Sequence, residues 1–354
     1  HFLCSGGKTK ETMKAKMLNL QDLPDEVILK ILSYQRAKEL ISCGQVSTRI
    51  RKISHDGTLW TTANLEKKIV KTELLEMILR KGCRILNLHN STILGSFSFD
   101  MKSQLRVLKL SRPECDRLYH SKFDRYSPRC GCIENTDAFE DLLFSCSSLQ
   151  HLEMKDVLLT TEMAEGICKN GKTLQILNLN SSDLQSSHSK YLQIFRSCQE
   201  LKEVNLANVN QGDGIKVMDL VFLAGNIAPN VEKLNLSSIP HDPLFIKQIL
   251  LRRCNKLKAL SIEATWITDC SLKYIRHCLS HTLEELSLGH CDNISFNGFL
   301  ELKPMPKLKI LNLYYNRKDG GEEIQYLTKH LPYMMIKVFH VPVKSFLSGP
   351  VTMR

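Results

Sequence analysis

A six-residue pattern of apolar positions recurs through most of the chain. Apolar residues, most often leucine, fill its first, fourth and sixth places, as in Leu149–Met154 and Leu283–Leu288. From Leu149 onward, consecutive copies begin 25 to 30 residues apart. Because side chains alternate between the two faces of a strand, each copy predicts a short strand with one apolar face. The stretch after a copy, such as 269–280, has apolar residues at helical spacing, so a helix is expected to follow each strand.

Ten copies of the pattern, the last one weaker, follow one another from residue 83 onward. They begin at Cys83, Leu105, Leu149, Leu174, Leu201, Val231, Leu257, Leu283, Leu308 and Tyr333. One strand and one helix cannot bury their apolar faces alone, whereas a stack of such units buries a continuous core. The period and the pattern resemble those of leucine-rich repeats. This resemblance implies an α/β fold over residues 63–339, a ribonuclease-inhibitor-like horseshoe solenoid of about nine to ten repeats.

Three positions of each copy are predicted to line the inner, concave wall of the solenoid, because they alternate with the leucines. Asparagine recurs at the second of these positions. A polar strand face in contact with solvent needs no ligand, and neighbouring amides can hydrogen-bond to each other, so a structural interpretation stays open. The substrate-binding candidates on this wall are His151, Glu153, Lys155, Asn178, Asn180, Asn205, Lys233, Asn235, Glu263, Glu285, Asn312 and Tyr314.

One interval between copies is anomalous, because 44 residues separate Leu105 from Leu149. It holds either a degenerate repeat or a loop of about twenty residues, and the predicted insertion covers 111–137. Three cysteines and a histidine fall in this segment, but their spacing matches no zinc-ligand pattern, so no metal site is predicted. An exposed basic loop is favoured instead. The four residues are Cys115, His120, Cys130 and Cys132.

The first sixty residues follow a different pattern. Pro24 can occupy the first turn of a helix, where its missing N–H is not needed. An apolar stripe at helical spacing follows over 27–32, and a second apolar set follows over 40–46. The segment ends with Leu59 and Trp60. Apolar stripes that remain after so short a segment has packed are suited to contact helices of a partner.

This segment, predicted to be a domain of residues 18–62, resembles an F-box. Leu23, Pro24 and Glu26 match the family's L-P-x-E motif, and the apolar series that follows it is met over 27–34. The later V-S-x-R element is met by Val46, Ser47 and Arg49, and the terminal L-W by Leu59 and Trp60. Ile50 stands where the family usually has an aromatic residue.

The combination is similar to the F-box proteins with C-terminal leucine-rich repeats. The resemblance implies a non-catalytic substrate-recognition subunit of an SCF (Skp–cullin–F-box) E3 ubiquitin ligase, with a role in the cell cycle. The F-box would bind the Skp adaptor, and through it cullin and RING subunits, while the repeats would bind a protein substrate for ubiquitination and proteasomal degradation. Whether the substrate is phosphorylated, and whether a small accessory protein takes part, stays open. The implied adaptor-binding residues are Leu23, Pro24, Glu26, Val27, Ile28, Ile31, Leu32, Leu40, Val46, Leu59 and Trp60.

Composition and charge narrow the alternatives. The 354 residues are 43% hydrophobic and 24% charged, which excludes collagen-like, mucin-like and largely disordered chains. The net charge is +11, and 102–130 contributes +5 of it. The alternatives to a ligase subunit are therefore a non-catalytic repeat scaffold and a nucleic-acid-binding solenoid that uses this patch. No known catalytic motif is present, and no cofactor, metal or membrane partner is predicted.

The cysteines and the chain ends complete the predictions. Thirteen cysteines are an odd number, and several recur at one place in the repeats, so buried reduced thiols are predicted rather than a disulfide framework. A reduced protein of the nucleus and cytoplasm is expected. Residues 1–17 are predicted to form a disordered N-terminal segment. The tail, 340–354, either folds across the concave face or is disordered.

Overall fold

The chain divides into two compact units, His1–Trp60 and Thr61–Arg354. The division falls close to the predicted end of the F-box at residue 62. The predicted disordered segment 1–17 lies outside the described residues. The computed structural model describes residues 20–97, 102–112, 135–184, 188–209, 225–239, 246–247, 254–314, 321–338 and 351–353.

The N-terminal unit is a small helical domain. Its elements are a 3-10 turn Leu20–Asp22, α1 Asp25–Leu32, α2 Ala37–Cys43, α3 Thr48–Ser54 and a second 3-10 turn Gly57–Trp60. The α3 helix begins where Ser47 accepts a hydrogen bond from the backbone N–H of Ile50, which satisfies one of the free N–H groups of the first turn. The indole N–H of Trp60 donates to the carbonyl of Ser54 at 2.7 Å, so this buried ring has its polar atom paired.

The second unit is a stack of strands and helices around one large sheet. The strands of this sheet are β1 Thr62–Asn64, β3 Ile85–Leu88, β5 Val107–Ser111, β6 His151–Lys155, β8 Ile176–Asn178, β10 Glu203–Asn205, β11 Lys233–Asn235, β12 Ala259–Ser261, β13 Glu285–Ser287, β14 Ile310–Asn312, β15 Met335–Val338 and β16 Val351–Met353. Two small parallel sheets pair β2 Ile69–Lys71 with β4 Thr92–Leu94, and β7 Leu158–Leu159 with β9 Asp183–Leu184. The helices are α4 Thr72–Arg80, α5 Thr136–Ser145, α6 Thr161–Lys169, α7 His188–Ser197, α8 Asp269–Leu279, α9 Phe296–Leu300 and α10 Gly321–His330.

The strand order confirms the predicted α/β repeat solenoid. Consecutive strands of the large sheet are neighbours in chain order from β1 to β15, and all of these neighbours are parallel. The described part of this sheet contains eleven parallel strands, one more than the ten copies of the pattern. The additional strand is β1. Ala63 is its one buried apolar residue, so the sequence there lacks the leucine pattern.

The two copies on either side of the long interval form neighbouring strands of the large sheet. β5 pairs directly with β6 over five residues, from Val107↔His151 to Ser111↔Lys155. This pairing leaves no place between β5 and β6 for the strand of a degenerate repeat. The ends of the predicted insertion belong to β5 and α5, and residues 113–134, which include Cys115, His120, Cys130 and Cys132, lie outside the described residues.

The recurring cysteines are buried in the stack, as predicted. Cys146, Cys198 and Cys254 are fully buried free thiols. Burial raises the pKa of Cys198 and of Cys254 to about 12, because the thiolate would lose its hydration. These thiols are therefore protonated and unreactive at neutral pH, and they pack as small apolar side chains.

A left-handed residue follows each of eight strands and joins neighbouring repeats. Its φ is between 52° and 59°. In β12, for example, it is Ala264, three residues after Ser261, and the other seven lie at the equivalent position of their repeats. The backbone N–H of Ala264, for example, donates to the carbonyl of Gly289 at 2.7 Å, and that of Ser238 donates to the carbonyl of Glu263 at 2.8 Å. The residues in this conformation are Lys67, Asn90, Asp156, Ser181, Asn208, Ser238, Ala264 and His290.

Ala264 gives a test of this turn. Its left-handed conformation costs an alanine about 1–2 kcal/mol, more than the entropy that a glycine adds to the unfolded chain. We therefore expect Ala264→Gly to raise the free energy of unfolding by about 0.5 kcal/mol. Ala259→Gly, in the regular strand β12, should lower it by about 0.5–1 kcal/mol. Urea unfolding of both variants measures the contrast, and a loss of stability in Ala264→Gly would contradict strain at the turn.

The end of the chain adds the twelfth strand to the sheet. β16 pairs antiparallel with β15, with Ile336↔Met353 and Val338↔Val351 in register. The tail was predicted either to fold across the concave face or to be disordered. Residues 351–353 do neither and lie at the edge of the sheet. Residues 339–350 lie outside the described residues. Among the helices of the described chain, none has the length and apolar character needed to cross a membrane.

Candidate functional site

The predicted adaptor-binding residues divide into a buried and an exposed group. Ile28, Leu32, Leu40 and Trp60 are buried in the N-terminal unit. In this conformation they cannot touch a partner, so the assignment of these four as contact residues needs correction: they hold α1, α2 and the last turn together. A helical stripe of apolar residues is wide enough to serve both the interior and a partner, and burial separates the two roles.

The large apolar residues that are exposed in the N-terminal unit are called the apolar patch here: Leu20, Val27, Ile31, Tyr34, Ile41 and Val46. Val27, Ile31 and Tyr34 are spaced by four and three residues, so they lie along one face of α1 and its end. Their side chains are 42%, 38% and 76% exposed, and Val46 is 71% exposed. Leu20, Tyr34 and Ile41 were not among the predicted adaptor-binding residues. Pro24 and Glu26 are exposed beside this patch, while Leu23 and Leu59 are half-buried.

Arg49 fixes the start of α1 next to the patch. Its Nε and Nη2 both donate to Oδ1 of Asp25, at 2.8 and 2.6 Å, and Nη2 also donates to the carbonyl of Leu23 at 2.7 Å. The arginine of the V-S-x-R element therefore ties α3 to the first turn of α1, and the serine of that element caps α3. Both residues have structural roles in presenting the apolar patch.

The solenoid presents a second surface, the strand face, made of three rows of side chains. Parallel pairing in register places His151, Lys233 and Glu285 in the first row. The second row contains Asn64, Asn87, Lys109, Glu153, Asn178, Asn205, Asn235, Ser261, Ser287, Asn312 and Lys337. The third row, two residues further along, includes the candidates Lys155, Asn180, Glu263 and Tyr314.

The repeated asparagines of the second row bond to their own turns. The side-chain oxygens of Asn178, Asn205 and Asn235 each accept a hydrogen bond of 3.0 Å from the backbone N–H two residues further on. This is the local bond that makes asparagine favourable where a strand turns. The recurrence of asparagine therefore has a structural cause, which acts whether or not the amides also contact a ligand.

At β5 and β6, the strand face carries lysines around a buried carboxylate. The Nζ of Lys109 lies 3.2 Å from Oε2 of Glu153, and the Nζ of Lys155 contacts Oε1 of the same group. Burial alone would raise the pKa of Glu153, but the hydrogen bonds and charges of both lysines lower it below its usual value. Burial lowers the pKa of His89 and of His151, so these neighbouring imidazoles are neutral at pH 7.

Near β12 and β13, the strand face carries acidic side chains. Burial raises the pKa of Glu263, which His290 and Ser287 offset in part. Burial, with the carboxylates of Glu263 and Glu285, also raises the pKa of Tyr314, which places the phenol close to both acids. The amide of Asn312 donates to Oε1 of Glu285 at 3.2 Å. Midway along the face, Lys233 pairs with Glu203 at 2.8 Å.

A shallow cavity of about 420 Å³ runs over the strand face from β6 to β13. Seven of the predicted substrate-binding residues line it: His151, Glu153, Asn178, Asn205, Lys233, Asn235 and Glu285. Five others lie on the face but outside the lining: Lys155, Asn180, Glu263, Asn312 and Tyr314. Within the described ranges, no three His, Cys, Asp or Glu side chains are grouped so that they could hold a metal ion.

Comparison with known proteins identifies the N-terminal segment. Residues 20–66 match the F-box-like family model. Among solved structures, the chain is similar to one in the complex of Rad7 and Elc1 from yeast, with 14% identity over 89% of this chain and 88% of that one, at a TM-score of 0.42. It is also similar to the leucine-rich repeat-containing protein LegL7 of Legionella pneumophila, with 17% identity over 66% of this chain and 74% of that one, at a TM-score of 0.39.

Proposed function

We propose that this protein is the substrate-recognition subunit of an SCF-type E3 ubiquitin ligase. The observation that carries the proposal is the F-box-like match over 20–66, which falls on a compact helical unit with an exposed apolar patch. F-box domains bind Skp adaptors, so we expect the adaptor to bind at the apolar patch. The repeat unit that follows supplies a polar strand face suited to a protein substrate.

The apolar patch fits the contact with helices of the adaptor. Isolated apolar side chains are common on protein surfaces, but a group of six on a unit of about forty residues marks an interaction surface. Burying these side chains against apolar helices of a partner would contribute about 25 cal/mol for each Å² removed from water. We place Val27, Ile31 and Val46 at the centre of this contact, with Pro24 and Glu26 at its rim.

The proposed role in ubiquitination is positional and non-catalytic. A subunit that binds adaptor and substrate together converts the encounter between a substrate lysine and charged ubiquitin into an intramolecular event, which raises the effective concentration. The order of an F-box, a leucine-rich array and a tail is most like the layout of the S-phase kinase-associated F-box protein. A role in the cell cycle, and a place in the nucleus and cytoplasm, form part of the proposal. The buried reduced thiols support such a reducing compartment.

The rival functions have less support. A repeat scaffold unrelated to ubiquitin would have no use for an F-box-like unit with an exposed apolar patch. A nucleic-acid-binding solenoid would depend on the basic segment 102–130, most of which lies outside the described residues.

Replacing the exposed apolar side chains should abolish adaptor binding and leave the fold intact. We expect Val27→Glu/Ile31→Glu/Val46→Glu to weaken binding of a purified Skp adaptor by about 100-fold or more, because three contacts are lost and three charges are desolvated. Glutamate is a good helix former, so α1 should tolerate it. Binding is measured by isothermal titration calorimetry, and the fold by circular dichroism.

The matched control changes exposed apolar residues of the repeat unit. Ile69→Glu/Leu94→Glu/Tyr333→Glu alters three side chains of similar exposure and adds the same charge. We expect this variant to bind the adaptor as the wild type does. Absence of adaptor binding by the wild type, or equal loss in both variants, would contradict the proposed function.

A further inference from the structure

Positive charge is concentrated in the first repeats of the solenoid. Residues 61–112 contain ten lysines and arginines against four acidic residues, a net +6 of the +11 carried by the whole chain. On the strand face, Lys109 of β5 belongs to this excess, and Lys155 of the neighbouring strand β6 adds a further positive charge. The charge thus reaches the surface that we propose for substrate binding.

The two lysines are held in place by a carboxylate beneath them. Glu153 is only 6% exposed, whereas the lysine side chains that pair with it are at the surface. The amide of Asn178 lies 3.5 Å from Oε1 of Glu153, and Nε2 of His89 lies 3.9 Å from it. One buried acid therefore draws two ammonium groups together and leaves their outer sides open to solvent. Such prior ordering lowers the entropic cost of binding an anion.

The strand face at β12 and β13 repels the same ligand. Glu263 and Glu285 lie there, and no lysine or arginine of the described chain forms a salt bridge with either of them. An acidic segment would thus be attracted to β5 and β6 and turned away from β12 and β13. The charge pattern therefore determines where on the strand face an acidic segment binds, as well as how tightly it binds.

We propose that the strand face at β5 and β6 binds an acidic segment of the protein substrate, with an aspartate or glutamate side chain of that segment bridging Lys109 and Lys155. Glu153 is the positioning residue of this site. The inference rests on the proposed function in that the strand face is the substrate surface. With the histidines neutral, Lys109, Lys155 and Glu153 have a net charge of +1, which one carboxylate neutralises. The charge of a phosphate dianion would be larger than this net charge of +1 and would not be fully neutralised.

The test measures peptide binding to the full-length chain by fluorescence anisotropy. The probe is a fluorescein-labelled hexaglutamate peptide, with a hexaglutamine peptide and a phosphoserine peptide for comparison. The site variant Lys109→Met/Glu153→Gln/Lys155→Met removes both lysines together with the buried acid, so no unpaired charge is left inside. The control Glu232→Gln/Lys258→Met/Lys309→Met makes the same changes of type and net charge in the exposed ion pairs of the later repeats.

The expected result is selective loss at the site. We expect the site variant to bind hexaglutamate about tenfold or more weakly than wild type, because two charge-assisted contacts are lost. The control should stay within about twofold, since its charges are distant and screened by salt. A Lys109→Arg/Lys155→Arg variant, which keeps the charge, should retain binding.

Three results would overturn the inference: equal weakening in both triple variants, equal binding of hexaglutamine and hexaglutamate, or much tighter binding of the phosphoserine peptide. Adaptor binding is measured on the same proteins. A protein that binds hexaglutamate at this site but not the adaptor refutes the proposed function alone. One that binds the adaptor but not hexaglutamate refutes only the inference about the ligand.

Discussion

Trp60→Ala should unfold the N-terminal unit while the repeat unit stays folded. The ring is 2% exposed and its N–H is bonded to the carbonyl of Ser54, so truncation removes both a large apolar contact and a buried hydrogen bond. Losses of about 3–5 kcal/mol are usual for such a change, and a unit of this size has little more stability than that. Hydrogen exchange measured by mass spectrometry should show peptides of 25–54 losing protection while peptides of 61–97 keep it.

The second tryptophan provides the matched control for this prediction. Trp266 is 66% exposed, so Trp266→Ala should leave exchange in both units unchanged. Trp60→Phe keeps most of the packing and removes the hydrogen-bond donor, so we expect an intermediate loss of about 1–3 kcal/mol. Unaltered protection of 25–54 in Trp60→Ala would mean that the unit is held together by other contacts.

Gly171→Ala should destabilise the solenoid through a backbone clash between neighbouring repeats. A Cβ at Gly171 would lie 2.5 Å from the carbonyl oxygen of Ser197 and 2.8 Å from its carbonyl carbon. Ser197 ends α7, one repeat further on, and its backbone cannot rotate away as a side chain would. Because the repeats would have to separate, we expect a loss of about 2–3 kcal/mol in the free energy of unfolding. Urea denaturation followed by circular dichroism measures it.

Gly225→Ala is the control for the added methyl group. A Cβ at Gly225 meets no heavy atom within 4 Å among the described residues, so the substitution adds the same group without a clash. We expect its stability to equal or slightly exceed that of the wild type. If both variants lost the same stability, the close approach of Gly171 to the next repeat would not be the cause.

The leucine pattern predicted most strands because each leucine has a single purpose, burial in the stack. The pattern did not predict β1, because the only buried apolar residue of this strand is Ala63, which lies between two polar residues. The left-handed turns were not predicted from the sequence either. Asparagine and aspartate favour that conformation at Asn90 and Asp156, but lysine, serine, alanine and histidine adopt it at the equivalent positions, forced by the hydrogen bond to the next repeat. The conformational preference of the residue itself therefore predicts little at these positions, because the hydrogen bond to the neighbouring repeat determines the backbone conformation.

The candidate surfaces were predicted in composition but not in arrangement. Val27 and Ile28 are adjacent and equally apolar, yet the first is exposed and the second is buried, and only the packing of α1 against the other helices distinguishes them. Glu153 was expected to be a surface residue like its neighbours on the strand. Its burial depends on Lys109 and His89, which belong to earlier repeats, and a spacing rule within one copy does not contain such contacts.

The reversed direction of β16 bears on how the protein avoids self-association. A stack of parallel strands ends in a row of open N–H and C=O groups, onto which the first strand of another molecule can add, so that fibres grow end to end. Val351–Met353 occupies that row on β15 with the opposite polarity, and a further parallel repeat would find no matching template there. Val351–Met353 therefore covers the edge of β15 that would otherwise be open to a strand of another molecule.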